Sequence, residues 1–282
     1  MRMRKLVAIA ALVILLALAV PPAASTAVQA PEETSQQGAW LDSAMFAWVE
    51  PADAVPRLQA NELDLYASPQ GNPVLMQAVL EDPDLSLSES YGSYNELTLN
   101  PYGPTFTDGR LNPLSNSAIR EAINWLIDRD YIAQTILGGQ ATPKYTLLGR
   151  VSADRTRYQS TVDAVEAEYA PDLGRAQTSI STAMLSMGAV LQDAVWHYGG
   201  QPITLVFVMR AEDARRWIGD YVADQLEIVG FQADGRYMNR TEASALWVQS
   251  DPAEGLWHIY TGGWISSSID RDSADEFSFF YT

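Results

Sequence analysis

The 282-residue sequence contains no cysteine, and this absence excludes several kinds of chemistry at once. Disulfide bonds, thiolate nucleophiles, cysteine-ligated zinc and iron–sulfur clusters all require that side chain. The absence also removes the acylated cysteine through which many exported receptors are tethered to membranes. We therefore expect that the protein is not a cysteine-linked lipoprotein.

Basic residues are also few, because 18 Lys and Arg stand against 35 Asp and Glu and the formal net charge is −17. A chain this acidic disfavours nucleic acid and anionic lipid as partners, since both carry the same sign of charge. Only 19% of the residues are charged and 47% are hydrophobic, which allows a sizeable buried core. We expect a folded protein that binds no nucleic acid.

Histidine is scarce as well, with His197 and His258 on different predicted elements. Neither has an acidic residue beside it at metal-binding spacing, so we interpret His258 as a partly buried structural residue. Asp270, Asp272 and Asp275 alternate as calcium ligands do, but the turn glycine and closing glutamate of a calcium loop are missing. We expect no metal site and no cofactor.

Common catalytic motifs are missing too. The sequence has no G-x-S-x-G nucleophile elbow, no G-x-x-x-x-G-K-[ST] phosphate loop and no G-x-G-x-x-G dinucleotide fingerprint. A carboxylate pair for glycoside hydrolysis is defined by its separation in space, so it stays open at this stage. The sequence therefore gives no positive support for an enzyme.

The N-terminus has the organisation of a secretory signal peptide over residues 1–30. Three basic residues precede an apolar run over Leu6–Val20, and small residues fill Pro21–Ala30. Cleavage is expected after Ala27 or Ala30. The alternative is an uncleaved anchor helix, but the apolar run is shorter than the roughly 20 residues that span a bilayer. We predict export to a periplasmic, extracellular or cell-surface location.

A paired-helix module is predicted over Asn112–Pro143. The first helix has an apolar face of Ile119, Ala122, Ile123 and Leu126, at the i, i+3, i+4, i+7 spacing. Oxygen-bearing side chains at 115–117 can cap it, and Asp128 can cap the second helix. Gly138 offers the left-handed conformation that ends a helix. This pattern predicts packing and no particular function.

The C-terminal half alternates strands and helices. Strands are predicted at Ile203–Met209, Phe231–Met238 and Leu256–Trp264, with an amphipathic helix over Glu212–Val229 and a short helix ending at Trp247. Such alternation indicates an α/β unit with a largely parallel sheet. Ligands of open α/β sheets lie beyond the carboxyl ends of the strands. We therefore expect Gly263 and Trp264 to lie near a ligand.

Three segments of the paired-helix module carry a resemblance to a known family. The segments IREAIN at 119–124, IDR at 127–129 and LGGQATP at 137–143 resemble the central signature of family 5 extracellular solute-binding proteins. These are the peptide, dipeptide and nickel receptors of ABC importers. The resemblance implies a two-lobed α/β fold of the type 2 periplasmic-binding-protein class, with mixed sheets flanked by helices and no reaction on the protein.

Members of that family are longer than this chain, so we expect an incomplete version of the fold. The predicted organisation is a signal peptide at 1–30, a partial lobe at 31–143 that holds a hinge-side strand and the signature helices, and an α/β segment at 144–282. The short segment Trp40–Trp48 is apolar enough for a strand or a buried stretch.

The resemblance also suggests a site in the stretch GGWISSSIDRDSAD at 262–275. It is similar to the family's glycine–tryptophan strand exit followed by an acidic loop, where an aspartate pairs with the ligand's α-ammonium group, and Asp270 is the nearest positional match. Asn100, at the exit of a predicted strand, is expected to line the cleft. The alternative is a surface loop with solvated charges. The predicted ligand-binding residues are Asn100, Gly263, Trp264, Ser266, Ser267 and Asp270.

These observations lead to one function and one alternative. The resemblance implies an exported substrate-binding component that takes a peptide or other small solute to ABC permease subunits and contacts the membrane only through them. The alternative is an exported interaction protein, or a degenerate relative, that keeps the fold without transporting a ligand.

Overall fold

A computed structural model describes residues 41, 43–68, 72–88, 93–150 and 153–265. The predicted signal peptide and the predicted site residues Ser266, Ser267 and Asp270 lie outside the described residues. The chain divides into two compact units, Met1–Val49 and Glu50–Thr282. None of the helices in the described ranges is long and apolar enough to cross a bilayer.

The described part of the first unit has no regular secondary structure, and Met45, Phe46 and Trp48 are highly exposed. The prediction that Trp40–Trp48 forms a strand or a buried stretch is therefore wrong for these residues. Apolar composition favours burial, but a strand also needs a neighbouring strand to pair with its backbone.

The second unit begins with helices α1 (Pro51–Gln59) and α2 (Pro73–Glu81), followed by strand β1 (Ser93–Leu99). Asn72 caps α2, because its Oδ1 accepts the backbone N–H of Val74 at 3.0 Å. Strand β1 alternates exposed and partly buried residues over 93–96 and is partly buried over 97–99.

The paired-helix module has the predicted form. Helix α3 (Ser117–Leu126) is capped by Asn116, whose Oδ1 accepts the Ala118 N–H at 2.9 Å, and its predicted apolar face is buried. Helix α4 (Arg129–Tyr131) is capped by Asp128 and continues as a π-helix over Ile132–Ile136. Gly138 and Gly139 have positive φ angles of 58° and 77°, which end the helix as predicted.

Three further helices and a small sheet follow the module. The helices are α5 (Ala153–Arg157), α6 (Gln159–Glu168) and α7 (Leu173–Ser186), and α7 packs against α3. The small antiparallel sheet contains β2 (Val190–Gln192), β3 (Val195–Tyr198) and β4 (Gln201–Pro202). We did not predict this sheet, because strands this short show too little periodicity to be recognised.

The main sheet combines strands that are far apart in the sequence. It contains β5 (Thr204–Arg210), β6 (Gln232–Met238) and β7 (Ile259–Ile265), which run parallel, and β1, which pairs antiparallel with β7. The order across the sheet is β1-β7-β5-β6. Helix α8 (Arg215–Ile228) joins β5 to β6, and α9 (Arg240–Trp247) lies between β6 and β7. The predicted alternation of strands and helices and the largely parallel sheet are confirmed.

The two faces of the sheet contribute to different cores. One core contains Phe207, Met209 and Ile259 together with α3, α7 and α8. The other contains Val208 and Tyr260 together with Ala243 of α9 and Trp257. Both faces of β5 are covered, which explains why its sequence is a continuous apolar run. The proposed boundary between residues 143 and 144 stays a prediction.

Candidate functional site

The carboxyl end of the sheet brings distant residues together. Strands β5, β6 and β7 end there at Arg210, Met238 and Ile265, and the antiparallel β1 begins there at Ser93. Gly263 pairs with Asn95 of β1, and Trp264 pairs with Tyr94. Two predicted site residues therefore lie at the position where open α/β sheets bind ligands.

A glutamate on β1 is held beside the predicted tryptophan. The indole N–H of Trp264 donates to Glu96 Oε1 at 2.8 Å, and the Thr98 hydroxyl donates to the same oxygen at 3.1 Å. Glu96 lies directly opposite Gly262, and a Cβ at that glycine would lie 2.9 Å from Glu96 Oε1 and 3.0 Å from the Thr98 hydroxyl. The missing side chain of Gly262 therefore makes room for a fixed carboxylate.

An arginine approaches the neighbouring glycine from the other face of the sheet. A Cβ at Gly263 would lie 3.0 Å from Arg215 Nη1. Arg215 makes a bidentate pair with Asp213, with Nε donating to Oδ1 at 2.8 Å and Nη2 donating to Oδ2 at 2.6 Å. Burial raises the pKa of Asp213, but the hydrogen bonds and charge of Arg215 outweigh it and leave that pKa below its ordinary value. The pair stays ionised and holds the guanidinium beside the exposed Gly263 backbone.

A second ion pair lies at the end of β5, and its arginine is also hydrogen-bonded to β7. Arg210 Nε donates to Glu212 Oε2 at 2.8 Å, and its Nη1 donates to the Tyr260 hydroxyl at 3.3 Å. The backbone N–H of Arg210 donates to the Thr261 hydroxyl at 2.9 Å, while Glu212 Oε1 accepts the Arg240 N–H at 2.6 Å. Burial raises the pKa of Glu212, and the Arg210 and Arg240 hydrogen bonds reverse that effect, so its pKa is lowered.

These groups are suited to binding. Fixed carboxylates, guanidinium groups, hydroxyls and an aromatic ring offer hydrogen bonds and ion pairs of defined geometry to a polar ligand. Within the described residues, no group of three His, Asp or Glu side chains is placed to hold a metal ion.

The predicted cleft residue Asn100 is completely buried and bonded within the protein. Its Nδ2 donates to the carbonyls of Pro252 and Trp257 at 3.0 and 3.1 Å, and its Oδ1 accepts the Tyr102 N–H at 3.1 Å. These bonds connect the end of β1 to the segment before β7. A ligand contact by Asn100 stays a prediction, and the role that the structure shows for it is structural.

Sequence reasoning missed Glu96, Arg215 and Asp213 at this site. The alternation NELTLN places Glu96 and Thr98 on one face of β1, so part of the signal was present. Glu96 and Trp264 are 168 positions apart in the sequence, so a local sequence pattern cannot predict that they pair.

The family of the chain follows from comparison with known proteins. A sequence model described as "Bacterial extracellular solute-binding proteins, family 5 Middle" matches residues 32–279, which is most of the chain. No curated protein matches this sequence.

Several solved structures have a similar fold, longer chains and low sequence identity to this protein. AppA from Bacillus subtilis, in complex with a nonapeptide, has 16% identity and a TM-score of 0.57, and the similarity covers 80% of this chain and 41% of that one. NikZ from Campylobacter jejuni, in complex with Ni(L-His), has 16% identity and a TM-score of 0.56, with 77% and 38% covered. Lactococcal OppA, in complex with a peptide, has 17% identity and a TM-score of 0.56, with 81% and 42% covered.

The chain thus spans about two fifths of the length of these structures. Their similarity confirms the predicted fold class, the α/β fold of type 2 periplasmic-binding proteins, of which this chain covers a part. The family match over 32–279 confirms the resemblance carried by the paired-helix module. This chain belongs to family 5 of the bacterial extracellular solute-binding proteins.

Proposed function

We propose that this protein is the exported substrate-binding component of an ABC importer, which binds a peptide or another small solute and delivers it to the permease. The family match over residues 32–279 is the observation that carries this proposal. The similar structures were solved with a nonapeptide, an endogenous peptide and a nickel–histidine complex, so peptides and metal chelates are the ligand classes to test first.

The ligand would lie at the carboxyl end of the sheet. The Glu96 carboxylate and the Arg215 guanidinium flank the glycine pair from opposite faces, so a ligand with both an amine and a carboxylate finds a partner for each. Trp264 would provide a flat apolar wall, and the serines at 266 and 267 and Asp270 would complete the site.

The proposal includes closure of two lobes around the ligand and no chemical reaction on the protein. Residues 31–143 and 144–282 would contribute to different parts of the two-lobed architecture. Ligand contacts made only in the closed form would shift the population towards closure.

Ligand-dependent thermal unfolding of the full chain tests the function. A panel would include short peptides with free and with acetylated α-amines, nickel–histidine and simple sugars. A true ligand at about 100 times its Kd raises the free energy of unfolding by about 2.7 kcal/mol. Acetylation is expected to weaken the response, because it removes the ammonium group for which Glu96 and Asp270 would be the partners.

A matched pair of tryptophan variants tests whether the stabilising ligand binds at the carboxyl end of the sheet. Trp264→Phe removes the indole N–H that holds Glu96, and we expect it to reduce ligand-induced stabilisation. Trp217→Phe makes the same change on the partly exposed face of α8 and should leave the response intact. A flat response across the whole panel would favour the interaction-protein alternative, and turnover of a ligand would contradict both.

A further inference from the structure

A cavity lies at the end of the main sheet opposite the candidate site, where β5 and β7 begin. Its volume is about 290 Å³, and its walls come from the 108–111 loop, the β3–β4 hairpin, the start of β5 and His258. We call it the amino-end cavity. The volume is close to the lower end of the range for small-molecule sites, about 300–1,000 Å³.

His258 lines this cavity, and one of its ring nitrogens is bonded within the protein. The residue is 1% exposed, and its Nδ1 accepts the backbone N–H of Val206 at 3.0 Å. A neutral imidazole that accepts at Nδ1 carries its proton at Nε2. Burial lowers the pKa of His258 to about 3, and the nearby Arg110 charge acts in the same direction. The ring therefore stays neutral, and its Nε2–H donor has no partner among the described residues.

Arg110 contributes a fixed positive charge. Its Nε donates to Asp108 Oδ2 at 2.6 Å, and its Nη2 donates to the Gly255 carbonyl at 2.9 Å. These two bonds anchor the guanidinium, and in the described part of the chain Nη1 is left without an acceptor. The hydrogen bonds from the Arg110 backbone and side chain lower the pKa of Asp108, so the anchoring carboxylate stays ionised.

Arg110 and His258 both contact the ring of Phe106. The guanidinium of Arg110 lies over the Phe106 ring, 5.3 Å from its centroid, and His258 meets the same ring edge-to-face at 5.0 Å. Tyr198 adds a phenol that has no hydrogen-bond partner among the described residues, and Leu111 and Ile203 add apolar surface. The lining thus combines an imidazole donor, a guanidinium, a phenol and an apolar wall.

We propose that the amino-end cavity binds a small carboxylate-bearing molecule, which accepts hydrogen bonds from His258 Nε2 and Arg110 Nη1. A carboxylate matches this set because it is acceptor-only and strengthens both bonds through its charge. The apolar wall would receive a short hydrocarbon part of the same ligand.

This site is separate from the carboxyl end of the sheet. Strand β7 begins directly after His258 and has 7 residues, so at 3.3 Å per residue its far end is roughly 20 Å away. A ligand in the amino-end cavity would not compete for the contacts of Glu96 or Trp264. The inference therefore does not depend on the proposed transport function.

Histidine NMR of the full chain provides the test, because the protein has only two histidines. In ¹⁵N-histidine-labelled protein, titration with sodium acetate should shift the His258 Nε2 signal saturably and by clearly more than the His197 signal, since His197 lies on β3 beside the cavity wall and does not line it. Acetamide, of similar size without the charge, and sodium chloride at equal ionic strength should leave both unchanged. An equal effect of acetamide, an equal movement of His197, or a response to acetate that does not saturate would overturn the proposal.

A matched pair of arginine variants tests the geometry without removing a buried ring. Arg110→Lys keeps the charge but loses the second donor, and we expect acetate affinity to fall about 10-fold or more. Arg175 is equally exposed at 45%, makes an ion pair of the same 2.6 Å length and also lies over an aromatic ring, so Arg175→Lys is the control and should stay within about two-fold. Unfolding midpoints verify that both variants fold.

The two variants also separate this proposal from the transport proposal. Arg110→Lys should leave peptide-dependent stabilisation unchanged, because the cavity is remote from the carboxyl end. Acetate binding that survives undiminished in Arg110→Lys would contradict the assigned contacts, whatever the peptide panel shows.

Discussion

At the scale of single residues, two adjacent glycines on β7 have different surroundings. The position of a Cβ at Gly262 is enclosed by Glu96 and Thr98, whereas at Gly263 it meets the end of the Arg215 side chain. Gly262 is buried and Gly263 is exposed. The two positions therefore test packing and backbone access separately.

We expect Gly262→Ala to lower the free energy of unfolding by about 1–3 kcal/mol, because the methyl group overpacks a filled site. Gly263→Ala should change it by less than about 0.5 kcal/mol, since the 3.0 Å contact with Arg215 Nη1 is relieved by a small shift that leaves the Asp213 pair intact. Denaturant unfolding measures both values. Equal destabilisation by the two substitutions would contradict this difference in packing.

Because His258 is buried, we expect the stability of the protein to depend on pH. Its folded-state pKa is about 3, below the ordinary value of 6.5, because burial disfavours the charged ring. Between these values the unfolded chain binds more protons than the folded one, so stability falls as the pH drops from about 6.5 towards 3. The slope from this group approaches about 1.4 kcal/mol per pH unit.

Unfolding measured between pH 7 and pH 5 isolates the histidine, because carboxylates with lowered pKa values, such as Asp213, lose their stabilising contribution at lower pH. His258→Asn keeps an acceptor for the Val206 N–H and cannot titrate, so the slope should flatten in this window. A variant with the original slope would show that another group titrates there.

At the scale of elements, helix starts are the features that local sequence predicts best. Asn239 begins α9 with a capping box, in which its Oδ1 accepts the N–H groups of Thr241 and Glu242 and the Glu242 carboxylate accepts the Asn239 N–H. Strand β7 begins at Ile259, three residues later than predicted. In the preceding segment, His258 donates its backbone N–H to the Val206 carbonyl of β5, and its own carbonyl accepts the N–H of Asn100, which follows β1.

The cap of α9 gives a test at this scale. Asn239→Ala should lower the free energy of unfolding by about 1 kcal/mol, because it removes the side-chain oxygen that accepts the N–H groups of Thr241 and Glu242. Asn239→Asp replaces the amide oxygen with a carboxylate oxygen that can accept the same bonds, and it should recover most of the loss. Chemical denaturation of the three proteins provides the comparison, and equal stability of the Ala and Asp variants would argue against the cap.

At the scale of the whole molecule, export is the prediction with the clearest readout. Expression of the full chain in a bacterial host should release a product that begins at Val28 or Pro31, because small residues precede both positions. Intact-mass measurement of the exported fraction identifies the first residue. Retention of residues 1–30 on the exported protein would support the anchor-helix alternative.

The sequence alone determined the local features of this protein. A cap for α3 within residues 115–117, the cap at Asp128, the buried face of α3 and the order of strands and helices after Ile203 were all predicted from local patterns. Each of these features depends on neighbours within a few residues. The family signature lies in the same short segments. Short-range hydrogen bonds and hydrophobic periodicity are sufficient for these predictions.

Only the tertiary structure decided what these elements place together. The pairing of β1 with β7 positions Glu96 against Trp264, and the turn of the chain around Phe106 places Arg110 near His258. Such contacts join residues more than a hundred positions apart. They depend on which strands pair and in which register, and that choice comes from burial of the whole sheet, so no local pattern encodes it.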